Sequence, residues 1–120
     1  VKHTTTVTVP FEAGHQIDYL DGCKWTGHGH RWTVTVTVGG TLDAQKVYVV
    51  DHHRLLAAVR EVVDELRDHN LNDMLPGVRP TPEGLAIYFH ERLALGVPRI
   101  VAVEVGMGDE IKTRVEWDLR

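Results

Sequence analysis

Apolar and polar positions alternate with period two over residues 2–12, with Val7, Val9 and Phe11 on one side and Thr4, Thr6 and Thr8 on the other. That is the pattern of a half-buried strand. The cleanest alternation runs from Arg31 to Val38, where Trp32, Val34, Val36 and Val38 interleave with Thr33, Thr35 and Thr37. Gly39-Gly40 ends it, and Lys46 to Asp51 reads as the returning strand of a hairpin. Over residues 52–69 the period becomes helical: Leu55, Leu56, Val59, Val62, Val63 and Leu66 form one apolar stripe with charges opposite. A turn-rich connection covers Asn70 to Pro80. Thr81-Pro82-Glu83 then predicts a helix start, with Thr81 as N-cap and Pro82 at the first helical position. Gly96 and Pro98 stop that helix after Leu95. Two apolar segments, 99–107 and 111–118, predict an antiparallel pair.

Strands around a helix pair predict an α+β domain, an antiparallel sheet with helices on one face. The other face is expected to carry apolar side chains with no cover in this chain, which points to self-association. The 120 residues fit a single domain spanning 1–120. A net charge of -4, with both signs interspersed, argues against the basic face that nucleic-acid binding needs. No apolar run approaches the roughly 20 residues of a membrane span. The one cysteine, Cys23, allows no intramolecular disulfide and fits a reducing compartment. With no apolar leader at Val1 to Thr4, a cytoplasmic location is the expectation.

Eight histidines make a metal site worth seeking. Residues 13–30 lack periodicity and hold Gly14, Gly22, Gly27 and Gly29, so they read as a functional loop. His28-Gly29-His30 leads into the second strand, and residues two apart in extended backbone project to one face. Gly27 and Gly29 are expected to permit unusual backbone angles there. His15 closes the first strand. If that strand pairs antiparallel with 31–38, His15 meets His28 and His30 at one sheet edge. Three imidazoles with one open position make the pattern of catalytic zinc. Three unrelated loop histidines are the alternative.

Phe11-x-Ala13-x-His15, then Cys23, then Gly27-His28-Gly29-His30 and an alternating strand resemble the 6-pyruvoyl-tetrahydropterin synthase family. That family includes 6-carboxytetrahydropterin synthase of the queuosine pathway. The resemblance continues, in order, through Val49-Val50-Asp51, Leu71-Asn72-Asp73, Pro80 to Ala86 and Val103-Glu104. It implies a tunnelling fold (T-fold), a four-stranded antiparallel sheet with two helices on one face. Three subunits would close a barrel, and two trimers would make a homohexamer. It also implies Zn2+ held by His15, His28 and His30 against the hydroxylated side chain of 7,8-dihydroneopterin triphosphate. The implied reaction is a lyase reaction that forms 6-carboxy-5,6,7,8-tetrahydropterin and releases acetaldehyde and triphosphate. The alternatives are the pyruvoyl-forming elimination of triphosphate, and a paralogue that binds pterin and zinc without turnover.

By the same resemblance Cys23 is a general base; a small buried residue or a fourth zinc ligand are the other readings. Asp68 and His69 correspond to a proton-transfer pair, but one residue fewer separates His69 from Leu71 than is usual in the family. Either the pair is preserved across a shortened loop or it falls out of register. A plain histidine at a helix C-terminus is the simpler alternative. Glu104 lies in an apolar strand, where a carboxylate is costly without a partner. The resemblance makes it the anchor for two adjacent pterin N–H groups. Val105 follows it where family members carry Thr, and a solvent-facing Glu is the alternative. Glu83 reads as an acidic first-turn residue that complements the helix dipole. His52, His53 and His90 have no metal-ligand context. Lys24, Arg31, Lys112 and Arg114 are candidate triphosphate contacts that spacing does not separate, and Trp25, Trp32 and Trp117 read as core or interface residues.

Overall fold

The computed structural model describes residues 2–15, 28–42, 45 and 47–118, with His28 described at its backbone only. In chain order the elements are β1 (Lys2–His15), β2 (His28–Thr41), α1 (His52–Leu66), α2 (Leu71–Met74), α3 (Pro82–Leu93), β3 (Ile100–Met107) and β4 (Ile111–Glu116). The strands form one antiparallel sheet in the order β1-β2-β3-β4. Helices α1 and α3 pack on one face of it. This is the α+β arrangement expected, with the T-fold's sheet and helix pair.

Period two sets the faces. Val9, Phe11 and Ala13 of β1, Trp32, Val34, Val36 and Val38 of β2, and Val103 and Val105 of β3 are all buried toward the helices. Leu55, Val59, Val62, Val63 and Leu66 of α1 meet them, with Leu85, Ala86, Phe89 and Leu93 of α3. Burying a Val, Leu or Phe contributes roughly 1.5–3 kcal/mol, so this layer is the main stabilising feature. Register matters because a one-residue slip would move every one of these side chains to the opposite face.

That opposite face is threonine-rich rather than apolar, contrary to expectation. Thr6 pairs with Thr37 at 3.1 Å between hydroxyls, and Thr8 with Thr35 at 2.9 Å. Such cross-strand hydroxyl pairs stabilise a sheet without needing an apolar cover. Lys112, Arg114 and Glu116 of β4 continue the polar surface.

The returning strand expected at Lys46 to Asp51 is also corrected. The described residues 47–51 form no strand, and the segment is a connector into α1. The Val49 carbonyl accepts from the Arg99 guanidinium at 2.8 Å instead of from a strand neighbour. Asp51 caps α1, its carboxylate accepting from the His53 and Arg54 amides at 3.0 and 3.2 Å. Thr81 caps α3 as expected, its hydroxyl accepting from the Gly84 amide at 3.1 Å. The connection after α1 holds one short unexpected helix, α2, capped by the Asn70 side chain.

Candidate metal and substrate site

β1 runs on to His15 and β2 begins at His28, so the segment read as a loop contributes its two ends to the sheet. Their register sets His15 across from His28 and Ala13 across from His30. His30 is therefore diagonal to His15, and the two rings meet edge to face with centroids 4.8 Å apart. His15 is 2% exposed, an unusual burial for an imidazole with no role. Gly29 needs no special backbone here. It has no positive φ, and a Cβ added to it would meet nothing within 4 Å, so the expectation of unusual angles at that glycine is not met.

Two buried groups define the His15 ring. Its Nδ1 lies 2.8 Å from the Pro80 carbonyl oxygen. A carbonyl only accepts, so Nδ1 carries a proton, and in the neutral ring this leaves the lone pair on Nε2, which is the form a metal ligand requires. Beneath the pair lies Trp32, fully buried, with ring centroids 5.1 Å from His15 and 6.0 Å from His30, both edge-on. Its indole N–H donates to the Ala13 carbonyl at 3.1 Å, tying β2 to β1 two residues before His15. Neither contribution was visible beforehand. A backbone carbonyl has no sequence signature, and Trp32 read only as a core or interface residue, although it stands one pleat beyond His30.

Among the described residues no group of three His, Cys, Asp or Glu side chains forms a metal cluster. Two of the expected ligands, His15 and His30, do come together; the His28 side chain and all of Cys23, with Lys24 and Trp25, lie outside the described residues. The donor set fits zinc: two imidazoles meet at the end of the β1–β2 pair, one with its Nδ1 held by a backbone carbonyl in the manner of ligating histidines.

Asp68 and His69 reach the same end of the sheet by their backbone. The Asp68 amide donates to the Glu12 carbonyl at 2.7 Å, and the Gly14 amide donates to the His69 carbonyl at 3.0 Å. A bridge between Gly14 and Asn70 extends the contact, so this segment lies about 4.8 Å, one strand spacing, from the His15 end of β1. Both side chains are exposed, and among the described residues no hydrogen bond joins the Asp68 carboxylate to the His69 ring. A cavity of about 280 Å³ opens beside Asp68, lined also by Glu12, Arg31 and Arg67. Of the three candidate triphosphate contacts among the described residues, Arg31 comes directly after His30 in β2. Arg114 is held at 2.7 Å by Glu116, and Lys112 is exposed on the same strand.

Glu104 stands elsewhere. It faces Thr35 of β2 and Arg114 of β4 on the threonine-rich side, half-buried. Thr35 is five residues beyond His30, about 17 Å at roughly 3.4 Å per residue. Within one chain, Glu104 and the histidines are separated by that distance and by the thickness of the sheet.

The sheet order and the helix pair define a T-fold protein, with the His15 and His30 rings brought together at the β1–β2 end. A profile of the family described as 6-pyruvoyl tetrahydropterin synthase matches residues 4–116, and the chain belongs to that family. It is 32% identical over 95 residues to 6-pyruvoyl tetrahydrobiopterin synthase of Poecilia reticulata, a match covering 76% of this chain and 65% of that one. To the protein of the same name from Drosophila melanogaster it is 34% identical over 73 residues, covering 58% of this chain and 44% of that one. The chain thus spans less than two thirds of either relative. The structure of Caenorhabditis elegans 6-pyruvoyl tetrahydropterin synthase superposes with a TM-score of 0.84 at 19% identity, covering 98% of this chain and 97% of the other. The Plasmodium falciparum 6-pyruvoyl tetrahydropterin synthase gives 0.79 at 20% identity, covering 98% and 99%.

Proposed function

We propose that the chain is a zinc-dependent lyase acting on 7,8-dihydroneopterin triphosphate, with His15, His28 and His30 as the metal ligands. The observation that carries this is the convergence of the His15 and His30 rings, with His15 held by Pro80 as the Nε2 ligand. The names of the relatives favour the pyruvoyl-forming elimination over the 6-carboxytetrahydropterin product and queuosine pathway expected from the sequence. Pyruvoyl formation is therefore the first reading of the product.

Zinc bound at this edge would act as a Lewis acid toward the side-chain hydroxyls of the substrate. The protein's own part is to place the groups that move protons. Cys23, five positions before His28, is the proposed general base that takes a proton from the substrate side chain. Asp68 and His69 are its proposed partners, since their backbone is fastened beside β1. Glu104 is the proposed pterin anchor. Its distance from the histidines favours an assembly in which a neighbouring copy supplies it, consistent with the trimer-based homohexamer expected.

The test is to purify the protein, measure its zinc, and incubate it with dihydroneopterin triphosphate under reducing conditions. Product mass separates the pyruvoyl from the carboxy product. Binding without conversion would support the paralogue without turnover, a reading favoured by the absence of an Asp68–His69 hydrogen bond. Freshly purified protein without stoichiometric zinc would overturn the proposal.

A further inference from the structure

The Pro80 carbonyl that holds His15 sits in a turn whose shape depends on residues far from the histidines in sequence. Pro80 is buried. On one side of it the Thr81 amide donates to the Arg79 carbonyl at 2.8 Å, folding the chain tightly around Pro80. The Thr81 hydroxyl accepts from the Gly84 amide at 3.1 Å, and its carbonyl accepts from the Leu85 amide at 2.9 Å, which fastens the turn to the first turn of α3. On the other side the Arg79 carbonyl packs directly onto the Cα of Gly84. A Cβ at position 84 would overlap that oxygen and sit 3.1 Å from the Arg79 carbonyl carbon. Backbone would have to move, and the moving peptide adjoins Pro80.

We propose that Gly84 and Thr81 are positioning residues for the metal edge, acting through the Arg79–Thr81 turn and the Pro80 carbonyl on the tautomer and orientation of His15. The inference rests on the zinc reading given above. Its logic is that a carbonyl shifted by even half an ångström no longer accepts well from Nδ1–H, since hydrogen bonds weaken steeply with distance and angle. The ring then samples the other tautomer, in which Nε2 carries the proton and cannot ligate. Supporting hydrogen bonds of this kind are worth about 10–100-fold in metal affinity. Trp32 supports the same ring from below and is unaffected by the turn, so the two supports are separable.

The test measures zinc affinity by competition with a chelating dye on the full chain, and His15 tautomer by nitrogen NMR on the metal-free chain. Wild type is expected to show protonated Nδ1 on His15. Gly84→Ala is expected to keep its circular dichroism, bind zinc about tenfold more weakly or worse, and show mixed tautomers. Should Gly84→Ala fail to fold, the pair Thr81→Ser and Thr81→Ala carries the test. Thr81→Ser keeps the hydroxyl and is expected to retain wild-type affinity, while Thr81→Ala loses it. A wild-type chain that binds no zinc sinks the metal reading and this inference together. Zinc binding in wild type that is matched by Gly84→Ala, or matched between the two Thr81 variants, overturns this inference alone.

Discussion

The rings of His15 and His30 meet edge to face although the two residues are not register partners. The contact is diagonal, because Ala13 lies across from His30 and His15 lies across from His28. This offset brings residues from two strands to one point without any loop having to fold back. Replacing either His15 or His30 by Ala is therefore expected to reduce bound zinc from stoichiometric to near zero. The sheet should survive, since both residues sit at its end. Metal analysis and circular dichroism on the purified variants check this, and zinc retained by His15→Ala would remove the site from the β1–β2 edge.

Trp32 links the fold to the site, and its removal should be costly for two separable reasons. The side chain is fully buried, stacks on Phe11 at 6.4 Å and donates to the Ala13 carbonyl. Trp32→Ala is expected to destabilise by about 3–5 kcal/mol through the cavity it leaves. Trp32→Phe keeps most of the volume but leaves the Ala13 carbonyl without its donor, a loss of about 1–3 kcal/mol. Urea unfolding of the three proteins measures both; equal stability of Trp32→Phe and wild type would show that the hydrogen bond contributes nothing net.

Much of the fold was legible because period two and period 3.6 are written plainly in this chain. The Val and Thr alternation of β1 and β2 follows from burial on a single face, and the α1 stripe from burial of one side of a helix. The segment 46–51 misled for a physical reason: Val49 is buried by a connector whose carbonyl is satisfied by Arg99, a residue fifty positions away. The threonine-rich face was misjudged because hydroxyl pairs across strands make a polar surface out of β-formers. At the site, the meeting of His15 and His30 was legible from their spacing and the antiparallel pairing of their strands. The Pro80 carbonyl was not, because its role comes from the turn into α3 rather than from its side chain. Nor was the separation of Glu104 from the histidines, since it depends on the β2–β3 register.

Asp68 has a backbone requirement that can be separated from its proposed chemistry. Its φ is 61°, a left-handed conformation that Asp tolerates and Gly adopts freely. Asp68→Gly is therefore expected to leave stability unchanged or slightly raised. If the carboxylate takes part in proton transfer, the same variant should lose turnover by about 10²–10⁴-fold. Steady-state kinetics beside thermal unfolding distinguish the two. Full activity in a stable Asp68→Gly would assign Asp68 to the backbone turn only.

The stacked pair of His90 and Trp117 gives the fold a pH dependence with a definite sign. The rings lie 3.7 Å apart, nearly parallel at 9°, where α3 meets the end of β4. Burial holds the His90 proton affinity below its ordinary value of 6.5, an effect that the nearby Glu91 charge only partly offsets. As pH falls, the unfolded chain therefore takes up this proton before the folded one does, and folded stability is lost in that interval. The contribution is fully present above the ordinary imidazole range and declines from there toward the lowered folded value. The melting temperature should thus fall as the pH is lowered through the ordinary imidazole value of 6.5 and below it. In His90→Phe, which keeps a ring on Trp117 but cannot be protonated, the fall should be shallower. Comparing the two slopes isolates His90 from the other histidines, and parallel slopes would show that its protonation is not coupled to folding.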